Sequence, residues 1–70
     1  MLFRDWLDQE GLSYTQAASR LGVSRITVYY WATGNSRPNP KFNAVISEVT
    51  AGEVLANDHQ RAYELARENV

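Results

Sequence analysis

The side chains best equipped for chemistry crowd into one stretch, "SRITVYYWATG", which begins at Ser24. It holds a guanidinium (Arg25), two phenols (Tyr29 and Tyr30), two threonine hydroxyls, the indole of Trp31 and the apolar Ile26. These groups hydrogen-bond, stack and exclude water; none is an activated nucleophile. Elsewhere, His59 is the sole histidine and there is no cysteine, so His59 and Asp58 form no set with metal-ligand spacing. Asp5 and Asp8 share a helix face near the start, a pattern more typical of a solvated face than of an acid/base pair. No glycine-rich phosphate loop is present. The expectation is recognition rather than catalysis: no enzyme, cofactor, metal or small-molecule ligand. His59 reads as an ordinary surface residue near a helix start.

The crowding has a geometric consequence. Successive helix residues turn by about 100°. With Val28 centred on the buried stripe, Trp31 lies close to it and Ala32 borders it. Ile26 and Tyr30 then point the opposite way, with Tyr29 and Thr33 beside them; Arg25 and Thr27 hold the flanks. An outward face of that kind marks a contact surface, unless the C-terminal helix or a second copy covers it.

Charge separates along the chain. From Gly11 to Ser47 there is no acid, only Arg20, Arg25, Arg37 and Lys41. All eight acids lie outside that segment, against Arg4, Arg61 and Arg67. The net charge of −1 by itself argues against a nucleic-acid binder. Its distribution argues for a basic face on an acidic body.

Positioning these groups requires short helices. Leu2, Phe3, Trp6 and Leu7 make one stripe up to about Glu10, with Gly11 as the stop. Ser13 and Gln16 form a capping-box pattern for "YTQAASRL", which ends at Gly22. Ser24 caps the next helix, which runs to about Thr33 and stops at Gly34. "NSRPNP" is a loop; Asn39 caps a fourth helix with Pro40 at its first position and a stripe of Phe42, Val45, Ile46 and Val49. In the connector after it, Glu53 to Leu55 suit a short extended run. Asn57 with Gln60 suggests the cap of a last helix, about 57–69. The fold class is all-α, a small five-helix bundle over residues 1–70, with a core that is marginal at this length. No apolar run spans a membrane, and the absence of cysteine suits a reducing, cytoplasmic setting.

The segment from Tyr14 to Thr33 resembles a helix-turn-helix of the phage Cro/CI repressor type, the xenobiotic-response-element-like family. Ala18 stands where a small residue lets the two helices approach, and Gly22 where the turn needs glycine. Ala17, Leu21, Val23, Val28 and Trp31 fall on the apolar positions. "LGVS" before a helix ending "W-x-x-G" is common in these proteins, and "SEVTAGEV" looks like the small Cro-like prophage repressors. The likeness extends from about Leu2 to Val49 and leaves the helix after Asn57 uncovered. Tyr14 departs from the glutamine often found there, and the recognition helix is poorer in polar residues than is usual.

The resemblance implies a lambda-repressor-like DNA-binding domain whose helix 24–33 enters the major groove of a double-stranded operator. Arg25 would then pair with guanine, Ile26 with a thymine methyl, Thr27 with either kind of group, and Tyr30 with a base or a phosphate. Ser13, Tyr14, Tyr29, Asn35, Ser36, Arg37 and Lys41 would meet phosphates. Arg20 either joins them or pairs with Asp5 or Asp8. Such repressors dimerise on palindromes with half-sites roughly 34 Å apart. Here the last helix, through Leu55, Tyr63, Ala66 and Val70, either forms a weak dimer surface or folds back on its own monomer. Two other readings stand beside this one. One is an excisionase-like accessory protein. The other is an antitoxin-like module that uses the aromatic face for a protein partner.

Overall fold

The computed structural model describes residues 1–68. Five helices follow in order: α1 (Phe3–Glu10), α2 (Tyr14–Leu21), α3 (Arg25–Thr33), α4 (Pro40–Val49) and α5 (Ala56–Glu68). No strand occurs among the described residues. The expected helix end at 69 and the dimer role of Val70 lie outside them.

Local signals set most helix ends. Ser13 Oγ accepts from Gln16 N–H at 3.1 Å, and Gln16 Oε1 accepts from Ser13 N–H at 2.9 Å, completing the capping box. Ser24 Oγ accepts from Thr27 N–H at 3.2 Å, and Asn39 Oδ1 from Phe42 N–H at 3.0 Å. Gly22 ends α2 in the left-handed region at φ 72°, donating to the Ala18 carbonyl at 2.9 Å, so the chain turns sharply into α3.

Fully buried Phe3, Leu7, Val28, Ile46 and Val54 form the centre of the core. Trp6, Ala17, Ala18, Leu21, Trp31 and Ala32 enclose them. The small Ala17 and Ala18 let α2 and α3 pack closely. Val23, Phe42 and Val45 are half-buried against this cluster, whereas Val49, expected on the α4 stripe, is exposed at the helix end.

Three expectations are corrected beyond α4. Glu53 to Leu55 are not extended. Glu53 and Val54 form a bend, and Val54 N–H donates to Thr50 Oγ1 at 3.1 Å, which places Val54 in the core. The last helix starts at Ala56, and the Asn57–Gln60 pattern does not cap it. Asp58 reaches back instead, its Oδ2 accepting from Leu55 N–H at 2.8 Å and from the N-terminal ammonium at 3.1 Å. A carboxylate is a stronger acceptor than an amide and suits the positive end of the helix. Lastly, His59 is not a surface residue. It is only 3% exposed, edge-on to Phe3 with centroids 5.6 Å apart. Neither ring nitrogen has a hydrogen-bond partner. Burial pushes its pKa down to about 4, against the opposing charge of Asp58.

Helix α5 folds back onto α3 and α4. It comes close at Gly34, where a Cβ would clash with the Ala62 carbonyl oxygen and lie 3.1 Å from Ala66 Cβ. Glycine is needed there twice over, because φ is also +80°.

Candidate nucleic-acid interface

The site is the outer face of α3 with the start of α2 beside it. The inward stripe of α3 is Val28, Trp31 and Ala32. Ile26, Tyr29 and Tyr30 stand three and four positions apart, which makes them neighbours on one face. All three are exposed, and Ile26, at 49%, is the most exposed large apolar side chain among the described residues. The face is continuous with α2: the Tyr14 and Tyr29 rings meet edge-on at 6.0 Å, and Tyr29 and Tyr30 lie 5.7 Å apart.

Its polar groups are unevenly committed. Arg25 opens α3 in an exposed position and enters no ion pair or side-chain hydrogen bond among the described residues. Thr27 is half-buried, with Oγ1 2.8 Å from Ser24 Oγ. Thr33 Oγ1 donates back to the Tyr29 carbonyl at 2.8 Å. The Ser13 hydroxyl is engaged in its cap. Backbone N–H groups of Asn35 and Ser36 donate to the Tyr30 carbonyl at 3.0 and 3.3 Å, closing the end of α3. Lys41 sits at the second position of α4, with Nζ 5.6 Å from the Phe42 ring centre.

Arg37 is placed differently from the expectation of a phosphate-facing loop. Its guanidinium donates to Gln60 Oε1 and lies 4.4 Å over the Tyr63 ring. The sequence reading missed Arg67, which covers the same ring at 3.5 Å and donates to the Gly34 carbonyl at 2.8 Å. The available signal was Ala62 and Ala66, two small residues four apart that leave room for Gly34. Arg20 forms no ion pair with Asp5 or Asp8; it lines a narrow apolar cleft with Trp6, Leu21 and Val49.

Charge pairing repeats the division seen in the sequence. The ion pairs among the described residues are the N-terminus with Asp58, Arg4 with Asp5, and Arg61 with Glu64 and Glu68. All lie outside the acid-free segment. Arg20, Arg25 and Lys41 are left unneutralised on α2, α3 and α4.

Residues 3–36 match the family model described as a homeodomain-like domain. The matched segment covers α1, α2, α3 and the corner after them. The fold is thus an all-helical bundle that fits a helix-turn-helix domain, and the matched segment is similar to homeodomain-like domains. No curated protein and no solved structure matches the chain.

Proposed function

We propose that this chain is a sequence-specific double-stranded-DNA-binding regulator that places α3 in the major groove. The observation that carries the reading is the exposed Ile26–Tyr29–Tyr30 face with unpaired Arg25 at the helix start, inside a helix-turn-helix match. In this motif the N-terminal part of the second helix reaches base edges. Arg25 supplies a two-pronged donor for guanine. Ile26, Thr27 and Tyr30 complete the base-reading set. Ser13, Tyr14, Tyr29, Asn35, Ser36 and Lys41 form the phosphate set, aided by free amides at the start of α2. Arg37 joins that set only by leaving Tyr63 and Gln60.

The finer reading is a Cro-like prophage repressor acting in the bacterial cytoplasm as a weak dimer on a palindromic operator. The residues between Ala17 and Trp31 that resemble that family support it. Selection from a random duplex pool, followed by anisotropy at two salt concentrations, tests the proposal. The expected result is an enriched palindrome whose affinity falls as salt rises. Arg25→Glu is expected to abolish the preference for that sequence, and unchanged operator affinity in the variant would remove the docking.

A second reading has its own support. The face is aromatic and weakly polar, which suits a protein partner in an antitoxin-like module. Under that reading the pool yields no enriched sequence, and Arg25→Glu leaves partner binding intact.

A further inference from the structure

We infer that α3 reads 5-methyl groups of pyrimidines, so that thymine methyls rather than a series of hydrogen bonds define most of the operator. This rests on the DNA-binding reading above and specifies what its site recognises. In the major groove each base pair offers donors, acceptors or, at thymine, a methyl group at C5. A reader of donors and acceptors needs free polar side chains on the first two turns. Here those turns offer few: Arg25, a partly engaged Thr27 hydroxyl, and phenols held at the far ends of Tyr29 and Tyr30. The Thr27 hydroxyl lies 2.8 Å from Ser24 Oγ, a hydrogen bond that takes up part of the capacity of each hydroxyl. Ser24 Oγ also accepts from the Thr27 N–H at 3.2 Å. Further on, the Thr33 hydroxyl is returned to the Tyr29 carbonyl at 2.8 Å. Arg25 alone keeps an uncommitted charged donor at the helix start.

What the face offers instead is a strip of carbon. Ile26 is half exposed, and Tyr29 and Tyr30 lie one turn further along the same side. Tyr14 props Tyr29 edge-on from α2, which fixes the strip relative to the neighbouring helix. Such a surface gains by removing methyl groups from water and gains nothing from a bare amino or carbonyl edge. The phenol oxygens at the outer ends of Tyr29 and Tyr30 suit phosphates flanking those bases. The recognised half-site therefore combines a guanine, for Arg25, with adjacent A·T pairs whose methyls face Ile26 and Tyr30.

The test uses the full chain and the duplex that selection enriches. Thymidines of one half-site are replaced singly by deoxyuridine, which removes only the methyl. Each contacted methyl should account for roughly fourfold in affinity, the effect of taking one methylene-sized group out of water. Ile26→Ala, at an exposed helical position that alanine suits, should lose most of its sensitivity at one thymine while keeping its helical spectrum. Undiminished affinity for the uracil operator overturns the inference while leaving sequence-specific binding intact. So does a uracil penalty that is equal in wild type and Ile26→Ala at every thymine of the half-site, because Ile26 would then read no methyl. An empty selection removes the DNA-binding reading itself, and this inference with it.

Discussion

Two clusters in this molecule are built from the same residue types and end in opposite states. On α5, Tyr63 lies under the guanidiniums of Arg37 and Arg67, and Arg67 continues to the Gly34 carbonyl. On α3, Tyr29 and Tyr30 stand beside Arg25, yet no arginine covers their rings, and Arg25 has no partner within the described chain. Composition does not separate the two. The difference is whether another helix of the same chain comes within reach. At Tyr63 the glycine corner brings α5 close, and the arginines join the fold. At Tyr30 no helix arrives, and the same chemistry is left for something outside. Aromatic and arginine side chains are therefore evidence of a binding face only where the chain has left them unused.

The largest effect should come from neighbouring residues on opposite sides of α3. Trp31 is 5% exposed in the core, so Trp31→Ala should cost about 3–5 kcal/mol, enough to unfold a domain of this size. Tyr30→Ala should change the melting temperature little and weaken DNA binding instead. Thermal melts and anisotropy on the pair separate the two roles. Retained cooperative melting of Trp31→Ala near the wild-type temperature would mean that α3 is turned differently.

Next comes the pH response of the buried side. His59 is held neutral in the folded chain, with its pKa lowered from 6.5 to about 4. The unfolded chain binds that proton more readily, so acid favours unfolding. The stability is fully present above about pH 6.5, is lost as pH falls towards 4, and is flat below that for this group. The loss is on the order of 3 kcal/mol. Denaturant midpoints between pH 7 and 4 check it, with His59→Leu as the control whose decline should be shallower. Equal slopes would place the titration elsewhere.

A smaller effect, about 2 kcal/mol, is expected for Gly34→Ala. The added Cβ clashes with the Ala62 carbonyl oxygen, and the left-handed backbone itself disfavours a side chain by about 1–2 kcal/mol. If α5 is held as described, the variant should melt lower and be cut more readily by protease within α5. An unchanged protease pattern would show that α5 is not held at this corner.

What was legible in the sequence was what a few adjacent residues decide. Ser13 with Gln16, Ser24 with Thr27 and Asn39 with Phe42 are contacts three residues apart, and each can be read from residue type and spacing. The outward set of Ile26, Tyr29 and Tyr30 follows from helical rotation alone. Contacts across the fold were not legible. His59 is buried because Phe3, 56 positions away, packs on it. Arg67 reaches Gly34 across 33 positions. The start of α5 was misread because Asp58 outcompetes Asn57 as a cap, with the N-terminal ammonium adding to its hold. For the candidate site, this means the sequence located the face but could not tell that Arg37 leaves it.

The smallest expected effect sharpens the comparison most directly, because it asks on which side Arg37 belongs. Over Tyr63 at 4.4 Å and exposed to water, its guanidinium should contribute about 0.5–1 kcal/mol to stability. Arg37→Ala should lower the denaturation midpoint by that amount and leave the salt dependence of operator binding unchanged. Arg37→Lys should fare little better, since an ammonium lacks the flat face that stacks on the ring. A phosphate contact has a different signature. Removing one reduces the slope of log affinity against log salt by about one unit. If Arg37→Ala shows that reduction with no loss of stability, Arg37 leaves α5 when DNA arrives, and the division between the self-satisfied cluster and the waiting one is drawn in the wrong place. Lys41→Ala in the same titration provides the reference slope, because its ammonium forms no ion pair within the described chain.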